Sequence, residues 1–222
     1  MLADSYRQRA LLFPGRSLLR VERLKKDLAR DLAIDKHYLH RAPPISHSFG
    51  LLQEDEIVGL LTIGKPAPHS VCQSACPQYP CLVYEFNRLW VSDRMPRNTE
   101  TWFIARARKK LPAMIVVTYA DTAVGHTGTL YMAAGFHYAG WTDMERKTPR
   151  IDYILHNGKH SRDASRQGVI GQVETVRRST KIRFWFAAGN HSERRRMEKL
   201  AGWPSLDWGA IRPPRPTPSA NP

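Results

Sequence analysis

Leu18, Leu19, Val21, Leu24, Leu28, Leu32 and Ala33 recur at helical spacing with Lys and Arg between them, which predicts an amphipathic helix over residues 17–34. Pro43-Pro44 stops any continuation. The period then changes. Residues 48–52 and 57–63 predict two strands about the turn Gln53-Glu54-Asp55-Glu56. Residues 64–80, with Pro66, Pro68, Pro77 and Pro80, predict a loop. Residues 82–91 alternate apolar and polar positions, as a strand with one polar working face does.

Downstream, Asn98 or Thr99 is a capping residue, Glu100 is acidic in a first turn and Arg106 to Lys110 are basic in a last turn. Together they predict a helix that ends before Pro112. Residues 113–119 form a short β-branched run, the mark of a buried strand. A second helix is predicted over 128–134 with Gly135 as its stop. Strands follow at 136–142, 152–156 and 181–187, then a helix at 192–200. The alternation predicts an α/β (α+β) domain with a mixed central sheet flanked by helices and a basic C-terminal strand-helix extension. We read residues 1–205 as a single domain and 206–222, rich in proline, as a mobile tail.

Composition narrows the partner. Among 222 residues, 34 Lys and Arg face 20 Asp and Glu, a net charge of +14, with more than half of the excess after residue 140. Each basic run is ordinarily a solvated face, but the sum exceeds what a small-substrate enzyme carries and points to a polyanion, most often nucleic acid such as double-stranded DNA, with anionic lipid or an acidic protein as alternatives. Lys181 and Arg183 alternate with aromatics, as strand residues with a core face and a nucleic-acid face do, and Arg194, Arg195 and Arg196 add a basic helix; these are the candidate DNA contacts. No window is apolar enough to span a membrane, and the N-terminal residues show no signal-like apolar stretch, so a cytoplasmic location is expected. The odd cysteine count at Cys72, Cys76 and Cys81 fits a reduced compartment, and their spacing from His69 does not match a structural zinc site. Homodimerisation is compatible with the sequence.

The candidate chemistry starts at Arg97, Asn98 and Thr99, where a helix start offers unpaired N–H groups and side-chain donors to a phosphate. Arg88, on the polar face of its strand, reads either as a donor to phosphate or oxyanion or as a structural partner of Glu85 or Asp121. Asp121 ends an apolar strand, where open sheets bind ligands, and reads as a general base, an orienting group, a cap, or a combination.

Tyr131-Met132-Ala133-Ala134-Gly135-Phe136 after a central strand resembles the GCN5-related N-acetyltransferase superfamily, although that superfamily's glycine-rich loop is absent. The resemblance implies a pyrophosphate of acyl-coenzyme A (acetyl-coenzyme A) at residues 97–99, acceptor contacts at His37 and Tyr38, and Tyr131 as general acid to a thiolate or, equally, as core. More narrowly, His37-Tyr38, Tyr84-Glu85-Phe86-Asn87-Arg88-Leu89-Trp90-Val91, Pro96-Arg97-Asn98-Thr99-Glu100, Tyr119-Ala120-Asp121-Thr122 and Gly125-His126-Thr127-Gly128 resemble the Mom group of Mu-like bacteriophages over roughly residues 30–205. That resemblance implies carbamoylmethylation of adenine N6 in phage DNA, protecting it from host restriction enzymes. It also implies iron, with His37, Tyr38 and Asp121 as ligands.

Adenine N6 is paired and stacked in a duplex, so an enzyme acting there flips the base, and Tyr38 and Trp90 are candidates to stack on it. Two other classes stand beside this reading: an acyltransferase acting on a small amine or protein, and a non-catalytic DNA-binding protein on the same scaffold.

Overall fold

The computed structural model describes residues 19–143, 147–148, 150–155 and 173–209. In chain order the elements are β1 (Leu19–Arg23), α1 (Lys26–Asp35), β2 (His47–Gln53), β3 (Glu56–Gly64), α2 (His69–Ala75), β4 (Val83–Val91), α3 (Thr99–Arg108), β5 (Met114–Asp121), α4 (Thr129–Ala133), β6 (His137–Trp141), β7 (Ile151–Leu155), β8 (Val173–Arg177), β9 (Lys181–Ala188) and α5 (His191–Leu200). Seven strands form one sheet in the order β1-β2-β3-β4-β5-β9-β6, and β7-β8 is a separate two-stranded hairpin. Within the seven-stranded sheet only β4 and β5 are parallel. The α/β class with a mixed sheet between helices is as the sequence predicts.

Burial on both sides of the central strands explains the architecture. On one face Phe86, Val116, Phe184 and Phe186 pack with Phe103, Ile104 and Ala107 of α3. On the other, Val83, Ile115, Val117 and Trp185 pack with Cys72 and Ala75 of α2, Met197 of α5 and Trp203. Further along this second face, Leu60 and Trp90 meet Ala29 and Ala33 of α1. Each large apolar side chain so enclosed contributes about 1.5–3 kcal/mol.

The parallel pair is short. Its register runs Val83↔Ile115, Tyr84↔Val116 and Glu85↔Val117, after which β4 continues to Val91 and β5 to Asp121 without pairing. The two strands part there and open a cleft between their C-terminal halves. A bulge in β4 opposite Thr62 and Ile63 adds to the divergence. The bulged Asn87 accepts from the Thr62 hydroxyl at 2.6 Å and donates to the Pro44 carbonyl at 2.9 Å. That bond ties the segment after α1 to the flank of the cleft.

Several expectations change. Residues 17–34 are not one helix: Leu19–Arg23 is an edge strand with Leu19 and Val21 buried, and only Lys26–Asp35 is helical. A run in which Leu19, Val21 and Leu24 satisfy both periods is decided by tertiary pairing, here with β2. The proline-rich stretch contains α2, started by Pro68 and buried through Cys72 and Ala75. Cys72 and Cys76 are buried free thiols and Cys81 is exposed. The strand-helix unit at 181–200 is no appendage, because β9 sits inside the sheet between β5 and β6. Nor does β9 keep a nucleic-acid face: α5 and Trp203 cover one side and the α3 side covers the other. The chain also stays packed past residue 205. Leu206 bridges Tyr138, and the Trp208 ring lies 5.1 Å from Tyr138 and 5.5 Å from Phe184. The remainder of the proposed tail, 210–222, lies outside the described residues. No helix among the described residues is long and apolar enough to cross a membrane.

Candidate active site

The cleft is walled by β4 on one side and by β5 with β9 on the other. Arg88 pairs across from Thr62 on the α1 face, while Asp121 continues the face of Ile115 and Val117. Both faces lie opposite the α3 packing, so the guanidinium and the carboxylate share one side of the sheet.

Asp121 is fully engaged. Its Oδ1 accepts from Ser179 Oγ at 2.7 Å and from the Ala123 N–H at 3.1 Å, and its Oδ2 lies 2.8 Å from Lys181 Nζ. Burial works to raise its pKa, yet the Lys181, Ser179 and Ala123 donors prevail and hold the carboxyl below the usual aspartate range. It therefore caps the turn Thr122–Val124 and locks β5 to β9 at the mouth of the cleft. Lys181, an expected DNA contact, belongs to this lock. Arg183, opposite Tyr119 in the β5–β9 register, packs over Trp203 at 5.3 Å and has a buried Nε without a partner among the described residues.

The β4 flank differs. Arg88 donates Nη1 to Asn87 O at 2.6 Å and Nη2 to Arg41 O at 3.4 Å, and its buried Nε has no partner among the described residues. It forms no ion pair with Glu85 or Asp121 among the described residues. Burial lowers its pKa, the neighbouring Arg41 lowers it further, and Tyr38 and Glu85 act the other way. Glu85, on the last rung before the strands part, has no hydrogen bond or ion pair from its carboxyl among the described residues. Burial pushes that carboxyl above the usual range against the pull of Arg88 and Lys181. Sequence reasoning placed Glu85 beside Arg88 only as its partner. The signal that it is more was its place between Val83 and the bulge, on the face that the apolar Val83 fixes as inward.

His37 and Tyr38 follow α1 and reach the same space. His37 is 6% exposed, and burial, then the charges of Arg88, His126 and His40, pull its pKa down to about 4. Its Nδ1 accepts from the Leu39 N–H at 3.2 Å, which leaves the neutral ring with its proton on Nε2, as a donor. Burial and then Asp121 raise the Tyr38 phenol, while Arg88 lowers it. Tyr38 sits 4.4 Å from the His37 ring and 5.8 Å from the His126 ring. Tyr131 enters from the opposite face, enclosed by Phe86, Phe136 and Phe184. Burial raises its pKa. Trp90, two residues beyond Arg88 on the same face of β4, is partly buried against α1 and Leu60.

The expected cofactor residues fit poorly. Asn98 is left-handed at φ 65° and its side chain makes no cap. Thr99 is buried with its hydroxyl donated to Pro96 O at 2.6 Å, and Glu100 puts a carboxylate on the same turn. A pyrophosphate gains little from that helix start. The iron set fits poorly as well: His37 Nδ1 and both Asp121 oxygens are taken by donors. No group of three or more His, Cys, Asp or Glu side chains gathers as metal ligands among the described residues. A recess of about 530 Å³ opens elsewhere, beside the β2–β3 turn, lined by Gln53, Glu54, Asp55, Glu56, Arg94 and Met95. Its acidic wall is unsuited to a polyanion.

These features define an α/β protein whose parallel strand pair opens on a cleft of buried, partly unpaired polar groups under a basic exterior. The chain belongs to the Mom protein family, whose profile matches residues 18–199. It is 32% identical over 133 residues to the methylcarbamoylase mom of Escherichia phage Mu, an alignment that covers 57% of this chain. It spans 55% of that relative's length. Among solved structures the chain is similar to a Bacillus subtilis acetyltransferase in complex with CoA, at 15% identity and TM-score 0.42, covering 76% of this chain and 98% of that one. It is similar also to mutant forms of the spermidine/spermine N-acetyltransferase from Vibrio cholerae, at 11% identity and TM-score 0.43, covering 77% and 94%.

Proposed function

We propose that this protein is a phage DNA-modification enzyme that replaces one hydrogen of the adenine N6 amine with a carbamoylmethyl group, inside the host cell, shielding phage DNA from restriction. Membership of the Mom family over residues 18–199, with a methylcarbamoylase as relative, is the observation that carries this reading. The net charge of +14 supports a duplex substrate.

In the reaction an N6–C bond forms, the bond from that carbon to the donor breaks with its electron pair on the leaving group, and N6 gives up a proton. The lone pair of N6 is delocalised, so proton removal has to accompany attack. Glu85 is the group suited to take that proton. It is a carboxylate without a partner, made more basic by burial, and positioned where the strands open. Arg88 stands ready to donate to the carbonyl oxygen of the transferred group, and the Nε2–H of neutral His37 adds a second donor. No step here is routed through acyl-coenzyme A or iron: the Thr99 hydroxyl is donated to Pro96 O, and the Asp121 oxygens and His37 Nδ1 already hold donors.

The test is chemical. Plasmid DNA from cells expressing the protein is digested to nucleosides and analysed by mass spectrometry. The expected result is a deoxyadenosine in which CH2CONH2 replaces a hydrogen. Unmodified DNA from soluble, folded protein overturns the reading. Acetylated adenine, or acetylation of amines with DNA untouched, selects the acyltransferase class instead.

A further inference from the structure

On the face of the sheet opposite the cleft, at the end where β4 and β5 begin, lies a basic cluster that the reaction above leaves unused. Arg23 ends β1, His47 begins β2, Lys65 follows β3 and Tyr84 is the second residue of β4. All four side chains fall on the α3 side. Tyr84 packs against the core that holds Phe86 and Phe103, the Arg23 guanidinium lies 5.3 Å from the Phe49 ring centre, and Lys65 Nζ lies 3.6 Å from that of Tyr84. The His47 ring is 5.7 Å from the Tyr84 ring, and Arg23 Nη1 is 3.4 Å from His47 Nδ1. The end of α3 closes the cluster. Arg23 Nη2 donates to Lys110 O at 2.6 Å, beside the exposed Lys109 and Lys110, and Arg106, one turn earlier, rests on the Trp102 ring at 5.2 Å. Lys65 also donates to Cys81 O and Val83 O. Among the described residues none of Arg23, Lys65, Arg106, Lys109 and Lys110 forms an ion pair. Rings and carbonyl groups thus fix the charges in place without neutralising them. Burial, then Arg23 and Lys65, lower the His47 pKa, as uncompensated positive charge around that ring does.

The geometry points to this face as a second duplex-binding surface, which takes the phosphate backbone of a DNA segment other than the one being modified. It rests on the DNA-binding part of the reading above and goes beyond it. Fixed, unpaired cations select a polyanion. Phe49 is buried, and the Tyr84 and Trp102 rings each already carry a cation, so the surface offers charge rather than a stacking platform. Such contacts go to phosphates and do not choose a sequence. From β1 to β4 the cluster crosses three strand spacings, roughly 14 Å, and a duplex carries one negative charge per about 1.7 Å of axis, so several phosphates fall within it. The modified duplex is elsewhere. Arg88 and Asp121 lie on the face away from α3, whereas Arg23, His47 and Tyr84 lie on the α3 face, and one straight duplex does not touch both faces of a sheet.

The experiment is a bridging assay. One duplex is fixed to beads, protein is bound at low salt, the excess is washed away and a fluorescent duplex is offered. Wild-type protein is expected to capture the fluorescent duplex and to release it as salt rises. Arg106→Glu, Lys109→Glu and Lys110→Glu together make three contacts repulsive and should lower capture by about tenfold or more, with the protein still on the beads and the yield of modified adenine in cells unchanged. The three residues are exposed, and thermal melting verifies the fold. The matching triple Ala variant, which only removes charge, should lose less capture in the same direction. No capture by wild type overturns the proposal. So does undiminished capture by the charge-reversed variant, which would trace bridging to another surface or to paired copies of the chain. Loss of modification together with capture overturns it as well, by placing this face on the modified duplex. Retention of polyglutamate in place of the fluorescent duplex assigns the face to an acidic protein instead. The two readings fail separately: modified nucleoside without capture removes the second surface alone, and charge-dependent capture without modified nucleoside removes the enzymatic reading alone.

Discussion

On the β5–β9 flank of the cleft, each oxygen of Asp121 has a donor, from Ser179, Ala123 or Lys181. On the β4 flank, across the cleft, the Glu85 carboxyl and the buried Arg88 Nε have none among the described residues. Folding alone favours the first arrangement, because an unsatisfied buried polar group costs about 1–3 kcal/mol. For the buried Arg88 Nε the second persists at a cost to the fold, and unmet hydrogen-bonding capacity in a cleft is what a substrate can complete. The carboxylate that stands out in the sequence, Asp121, is thus the paired one, and the one that reads as its neighbour's partner, Glu85, is the one we propose as the base.

The sharpest way to break that contrast is Glu85→Gln. Removing a general base is expected to lower modified adenine by about 100-fold or more in the nucleoside assay. The same change is expected to raise stability slightly at neutral pH, since a half-buried carboxylate whose ionisation burial disfavours gives way to a neutral group of the same shape. The sign follows from the raised pKa. A carboxyl that titrates higher folded than unfolded favours the fold only below the unfolded value, and that contribution is lost as pH climbs through the folded value. The gain of Glu85→Gln over wild type should therefore be largest near neutrality and vanish in acid, in thermal melts across that range. A variant with full activity, or one less stable than wild type at pH 7, would show that Glu85 is a structural acceptor.

Much of the frame was legible in the sequence. The β2–β3 hairpin, β4, β5, β9 and α3 follow from period, β-branched runs and caps, all local signals. The misreadings lie where tertiary pairing decides. Leu19 and Val21 suit a strand as well as a helix, and only β2 settles it. Pro68 starts α2 although the surrounding prolines read as loop. Trp208 is held by Tyr138 and Phe184, partners far away in sequence. The site was half legible for the same reason. His37, Tyr38, Arg88 and Asp121 do converge on one cleft, but which carboxylate is paired depends on Ser179 and Lys181 crossing from another strand. Lys181 and Arg183 were visible as charges, and nothing local showed that one would meet Asp121 and the other Trp203.

Asp121 sharpens the comparison from the other flank. Asp121→Ala removes the cap and the Lys181 pair together and is expected to cost about 1–2 kcal/mol, discounted for the partial exposure of the ion pair. Asp121→Asn keeps an acceptor for Ala123 and Ser179 and should cost less. Because the folded pKa is depressed, the Asp121 contribution is present above its unfolded value and fades as pH falls through the folded one. The penalty of Asp121→Asn in thermal melts should shrink in acid, opposite in direction to wild type against Glu85→Gln. Modification should follow stability of the turn: reduced in Asp121→Ala, largely kept in Asp121→Asn. If Asp121→Asn abolished modification without a change in melting, the carboxylate itself would be chemical and the roles of the flanks would be exchanged.

The smallest effect is expected furthest from the cleft. Arg194, Arg195 and Arg196 are exposed on the first turns of α5, which begins where Ala188 pairs with Met114. That is the end of β9 opposite Lys181, and a strand of eight residues separates the two by roughly 25 Å. Contacts at such a distance go to phosphates well along the duplex from the flipped base, so they position without specifying. Replacing all three by Ala should weaken binding to every duplex alike and reduce the magnitude of the slope of log affinity against log salt by about 1–3. The yield of modified adenine at saturating protein should be unchanged, because the triad lies at the far end of β9 from the Asp121 lock. Loss of that yield would instead place the basic helix at the mouth of the cleft, and the separation between a reactive edge and a holding edge would no longer describe the molecule.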